Sequence, residues 1–196
     1  MLNLVQSNTS DSNTVVVVGM SNIDTIWHAN SDDVVDGGAS NIGTVTQTFG
    51  GVGYNLALAA GRACTDYPPI LLTAVGVDHF AEQIRSSTSS VRLNCVRIDA
   101  ARTGQYTCIV KPDGELAMAI QDMKISAAFK PNLLPKAILK KGAALLVDLN
   151  LPSATLNYIA TYASPSRPLY VEPTSVFKVT VAHEVKVLKT ILEQYY

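Results

Sequence analysis

The sequence predicts an α/β fold on a parallel sheet, with a small β element inserted in two pieces. Three observations predict it. Val15-Val16-Val17-Val18 is an unbroken β-branched run, the pattern of a strand covered on both faces, and similar runs recur at Ile70–Val75, 143–147 and 169–171. Segments with helical spacing lie between these runs, and alternating strands and helices imply a parallel sheet flanked by helices. Residues 25–48 and 95–121 break that rhythm: the first is rich in Asp, Asn, Gly and Thr, and the second reads as strands joined by tight turns.

Composition bounds the function. The 196 residues are 47% hydrophobic and 16% charged with a net charge of −1, so the chain folds around a sizeable core and lacks the basic excess that a nucleic acid partner needs. No apolar stretch is long enough for a membrane helix. Cys64, Cys95 and Cys108 are too scattered for a zinc site and odd in number for a disulfide framework. His183-Glu184 starts like a metalloprotease helix, but no second histidine follows four residues on. The polar residues 1–14 read as a flexible leader without the order of a signal peptide, and the cytoplasm is the expected location.

Taken in order, the elements have local causes. After the first strand, Leu56, Ala59, Ala60 and Ala63 place small side chains on one helical face, so this helix packs close to the sheet. Shorter helices are expected over 80–87 and from Pro131 through Lys140, and a final helix over 179–196. Strands over 105–110 and 115–120 flank Lys111-Pro112-Asp113-Gly114, in which proline presets the turn and glycine supplies a positive φ. The lid-like segments are thus expected to form one small antiparallel element.

Residues 49–63, FGGVGYNLALAAGRA, lay bare the backbone where a helix begins. Free N–H groups and the helix dipole there favour an oxygen-rich ligand, and glycines let it approach the main chain. No Gly-Lys-Ser/Thr follows, which excludes a Walker loop, and the spacing excludes a dinucleotide fingerprint. Asp24, in the stretch GMSNID after the first strand, lies at the mouth of the sheet where a carboxylate can bind sugar hydroxyls.

GMSNID, then GGVGYN, then Val75-Gly76-Val77-Asp78, the stretch RTGQYT with PDGELAMAIQDMKIS, and VEPTSVFK together resemble the ribokinase-like (PfkB) carbohydrate kinases. Within that family the pseudouridine kinases are the nearest match, through AIQDM and EPTS. The resemblance implies a three-layer ribokinase-like sandwich over residues 15–196, with a β lid from about 25–48 and 95–121. It implies a kinase acting on the 5′-hydroxyl of pseudouridine or another sugar or ribonucleoside, using ATP and Mg2+. Carried over residue by residue, it assigns substrate binding to Asn22, Asp24, Gly50, Gly51, Asn55 and Tyr106, with Gln105 or Thr103 as further candidates beside Tyr106. Asp78 reads as a helix cap, and Trp27 and His28 as packing or lid-to-lid contacts.

The family's Asn-x-x-Glu motif for magnesium and its glycine-alanine-glycine-aspartate loop carrying the base do not occur in this sequence. The expectation is a truncated form with no catalytic residue assigned, its ATP and metal sites largely absent, and inactive alone. Ala81 replaces the last glycine of the family's GxDxxG. A rival reading is a non-catalytic nucleoside-binding or interaction protein that forms a homodimer through the lid, whose exposed strands are natural pairing edges.

Overall fold

The computed structural model describes residues 13–31, 40–87, 89–175 and 178. Two sheets make up the described chain. The body is a five-stranded sheet in the order β5-β4-β1-β8-β9, formed by β1 (Val15–Val18), β4 (Ile70–Val75), β5 (Arg92–Arg97), β8 (Ala144–Asp148) and β9 (Leu169–Glu172). Every neighbouring pair in it is parallel. The second sheet, in the order β3-β2-β6-β7, contains β2 (Asn22–Ala29), β3 (Gly43–Gly50), β6 (Gly104–Val110) and β7 (Leu116–Asp122).

Helices cover both faces of the body, which is why β1 does not alternate. Val16 and Val18 pack with Phe129, Leu139, Leu156 and Ile159 from the side of α3 (Ile125–Ala128), α4 (Lys136–Lys141) and α5 (Ser153–Ala160). Val17 and Leu71 pack with Tyr54 and Ala57 of α1 (Val52–Ala63) on the opposite side. On that same side Ala81 and Ile84 of α2 (His79–Ser86) meet Val75 and Ile23. The result is an α–β–α sandwich with the core divided by the parallel sheet.

Several expectations change in detail. Thr14 is buried, and its carbonyl accepts from Ala143 N–H at 2.8 Å, so the body begins before Val15. Residues 1–12 and the helix expected over 179–196 lie outside the described residues. Cys95 belongs to the body and not to the lid, since β5 pairs with β4 in the register Thr73↔Cys95. The lid instead starts at Asn22 and resumes at Gly104. It is mixed and not antiparallel: β2 and β6 pair in parallel because both leave the body in the same direction, each then folding back on its own antiparallel partner.

The helix expected from Pro131 through Lys140 is split. A 3-10 turn spans Pro131–Leu133, and α4 starts after Pro135, whose ring restricts the residue before it to extended backbone. The turn at 111–114 forms as expected: Gly114 has φ 88°, its N–H donates to Lys111 O at 2.9 Å, and Lys111 N–H donates to Glu115 O at 2.9 Å.

Candidate functional site

β1 runs into the lid through Gly19-Met20-Ser21, and β3 runs from the lid into α1 through Gly50-Gly51. These two passages cross at the C-terminal end of the parallel sheet, and glycine is required there for space. A Cβ on Gly53 would lie 2.5 Å from the carbonyl carbon of Gly19 and 2.8 Å from Met20 N. Gly51 adopts φ 96°, and a Cβ there would lie 2.7 Å from Asn22 Oδ1 and 2.8 Å from Ser21 Cα. The main chains touch with nothing between them.

The start of α1 is satisfied from within. Asp148, at the end of β8 and fully buried, accepts Met20 N–H at Oδ2 (2.9 Å) and Asn150 N–H at Oδ1 (2.8 Å), and Gly53 N–H also donates to it. Tyr54 N–H reaches Met20 O at 3.4 Å. The helix N-terminus expected to receive a ligand oxygen therefore holds the protein's own carboxylate. Burial pushes the Asp148 carboxyl above its ordinary range, and the main-chain donors only partly offset this. The signal for Asp148 in the sequence was an apolar run ending in an acid, a pattern equally consistent with a plain strand end.

Asn22 and Asp24 lie on one face of β2, two residues apart. The Asn22 side-chain amide donates to Asp24 Oδ1, and Asp24 Oδ2 occupies the space that a side chain on Gly50 would need. Partial burial raises the Asp24 carboxyl, with the Asn22 hydrogen bond opposing. Tyr106 stands opposite Asp24 in the register of β2 and β6. Its phenol is shifted upward first by burial, then by the neighbouring Cys108 thiol and the Asp24 charge, so all three groups share this face.

Asn22, Asp24, Gly50, Gly51 and Tyr106 thus come together. Asn55 is exposed on the first turn of α1; its N–H donates to Gly51 O at 2.9 Å, and its side chain has no hydrogen bond among the described residues. The candidates beside Tyr106 fall elsewhere. Gln105 points to the opposite face, as the strand pleat requires. Thr103 is 1% exposed, donates its hydroxyl to Asp78 Oδ1 at 2.7 Å and accepts Gly76 N–H at 2.9 Å.

Asp78 caps α2, accepting Ala81 N–H at 3.0 Å and Thr103 N–H at 2.8 Å. Burial there opposes ionisation, yet these hydrogen bonds together outweigh it and hold the carboxyl below its usual value. Ala81 keeps the turn intact because the cap uses its N–H, while its methyl packs beside Ile23 and Val75. Trp27 and His28 are exposed on the lid rather than packed in a core. Glu172 turns back to accept Thr174 N–H at 3.2 Å.

A cavity of about 390 Å³ lies between the lid and α2, lined by Ile23, Gln47, Thr48 and Phe49 on one side and Gln83, Ser86 and Ser87 on the other. It contains none of the site residues. Among the described residues no three His, Cys, Asp or Glu side chains group as a metal site requires.

Comparison with known proteins places this geometry. Residues 12–186 match the family described as pfkB family carbohydrate kinase. The chain is 29% identical over 173 residues to the pseudouridine kinase of Escherichia coli (strain K12), covering 84% of this chain and 52% of that protein. Its structure is similar to a ribokinase from Giardia lamblia, with a TM-score of 0.75 at 22% identity over 84% of this chain and 56% of the other. A carbohydrate kinase from Agrobacterium tumefaciens aligns with a TM-score of 0.69 at 27% identity, over 87% and 57% of the two chains. An Arabidopsis thaliana ribokinase complexed with ribose and ATP aligns with a TM-score of 0.68 at 18% identity, over 82% and 53%. The chain spans about half the length of these relatives. The solved structures share the fold of this chain, and the chain belongs to the pfkB family of carbohydrate kinases.

Proposed function

We propose that these residues form the substrate half of a sugar or nucleoside kinase, with pseudouridine or a related ribonucleoside as ligand and ATP as phosphoryl donor of the whole enzyme. The observation that carries this reading is Asp24, a half-buried carboxylate oriented by Asn22 and laid over Gly50 at the mouth of the parallel sheet. A carboxylate fixed in this way accepts from two vicinal hydroxyls, and the absent Gly50 side chain leaves the room that the carboxylate itself occupies. The likeness to an E. coli pseudouridine kinase and to a ribose- and ATP-bound ribokinase supports it.

Phosphoryl transfer needs a base near the hydroxyl and a preorganised anion site at the γ-phosphate. Asp24 serves to bind and orient hydroxyls, and the 196-residue polypeptide is expected to bind substrate without turnover. Calorimetry with pseudouridine, uridine and ribose, beside a coupled assay with ATP and magnesium, tests both parts. Asp24→Ala should weaken binding by about 1–3 kcal/mol, the cost of unpaired substrate hydroxyls. Unchanged affinity removes Asp24 from the site, and turnover by the pure polypeptide overturns the division of labour.

A second reading, assembly into a homodimer through the lid, has its own observation. On the face opposite Asp24, Val45, Trp27, Ile109 and Met118 stand at one register level across all four strands, with Ile120 beside them. Trp27, Val45, Met118 and Ile120 are 46%, 49%, 65% and 72% exposed. A contiguous apolar row of this kind suits a second copy of the same sheet.

A further inference from the structure

We propose that Gln121 is the specificity residue that reads the base of a pyrimidine ribonucleoside, an inference that rests on the nucleoside reading above. On the Asp24 face of the lid, one register level carries Thr48 on β3, Asp24 on β2, Tyr106 on β6 and Gln121 on β7. Side chains at one level of paired strands share a face, and neighbouring strands lie roughly 4.8 Å apart. Gln121 is therefore two strand spacings, on the order of 10 Å, from Asp24. One spacing takes a pentose held at Asp24, and the second takes a ring attached to that pentose.

The groups along the row suit those parts in order. Tyr106 presents a flat aromatic surface between the two ends. Gln121 is exposed on the edge strand and its amide makes no hydrogen bond among the described residues, leaving one acceptor oxygen and two donor hydrogens. An amide pairs with a ring edge on which a donor and an acceptor are adjacent, as on pyrimidine bases, and by rotating it serves either order. The neighbouring levels direct the ligand along this row. Towards the body, Met123 folds over Gly104, where a Cβ would lie 2.6 Å from Met123 Sδ and 3.3 Å from Asn22 Cβ, so that side is closed. Away from the body the next level carries Thr46, Ile26, Cys108 and Ala119, and the short side chains of Cys108 and Ala119 leave the Tyr106–Gln121 end of the row open.

The test is titration calorimetry of the 196-residue chain with pseudouridine and with ribose, using wild type, Gln121→Ala and Asp24→Ala. Gln121→Ala should lower pseudouridine affinity about tenfold with ribose affinity unchanged, whereas Asp24→Ala should lower both. Its melting point should match wild type, because the side chain is exposed and makes no contact that the fold uses. Equal loss for both ligands in Gln121→Ala, or no loss for pseudouridine, overturns the role of Gln121 and leaves the sugar site standing. Failure of wild type to bind either ligand overturns the sugar site and this inference together.

Discussion

Asp148 shows how a single side chain fixes a site it does not line. Its two oxygens take main-chain N–H groups from the end of β1, from the turn after β8 and from the first turn of α1. Three elements are thereby held at one point beneath the Asn22–Asp24 pair. Asp148→Ala would leave those buried donors without acceptors and should lower unfolding free energy by about 1–3 kcal/mol per unsatisfied group in urea titration. The pH dependence has a defined sign. Because the folded carboxyl titrates above its unfolded value, the stability it contributes is complete below about pH 4 and is lost as pH rises through the raised value. Wild type should show that decline and Asp148→Ala should not; an identical pH profile for the two proteins would contradict the assignment.

At the scale of elements, the β6–β7 hairpin separates backbone strain from crowding. Its turn is closed by Gly114 N–H to Lys111 O and by Glu115 N–H to Asp113 Oδ1 at 2.8 Å, with Gly114 at φ 88°. Nothing lies within 4 Å of a Cβ built on Gly114, so Gly114→Ala meets only left-handed strain. That should cost about 1 kcal/mol by denaturant midpoint. A loss several times larger would contradict an open turn at Gly114. The hairpin was legible because proline and glycine act locally, whatever the chain does elsewhere. The split at Pro135 has the same kind of local cause, but helix α5 had no such signal: it is eight residues without a side-chain cap, held by Leu156 and Ile159 in the core. Packing, not propensity, forms it.

For the whole molecule, the lid separates two surfaces with different chemistry. The Asp24 face carries polar groups, while the opposite face packs Ile23 and Phe49 beside α2 and exposes an apolar row at Trp27 farther out. If the apolar row seats a second copy, wild type should sediment as a dimer and Trp27→Lys as a monomer with nearly unchanged melting, since the residue is 46% exposed. A monomeric wild type at micromolar concentration would leave the lid as a substrate cover alone.

The family resemblance brought Asn22, Asp24, Gly50 and Gly51 together as one constellation, and the local sequence determined the strand–helix alternation, the β-branched central strands and the hairpin turn. Each of the latter is written in local pattern or short spacing, which a chain cannot express otherwise. Only the tertiary structure decided that the helix start behind those glycines is occupied by Asp148, 95 positions beyond Gly53 in the sequence. It alone assigned Cys95 to the body, made the lid mixed and aligned Gln121 with Tyr106 and Asp24. Register and long-range hydrogen bonding join residues far apart in the chain, and no local periodicity carries that information.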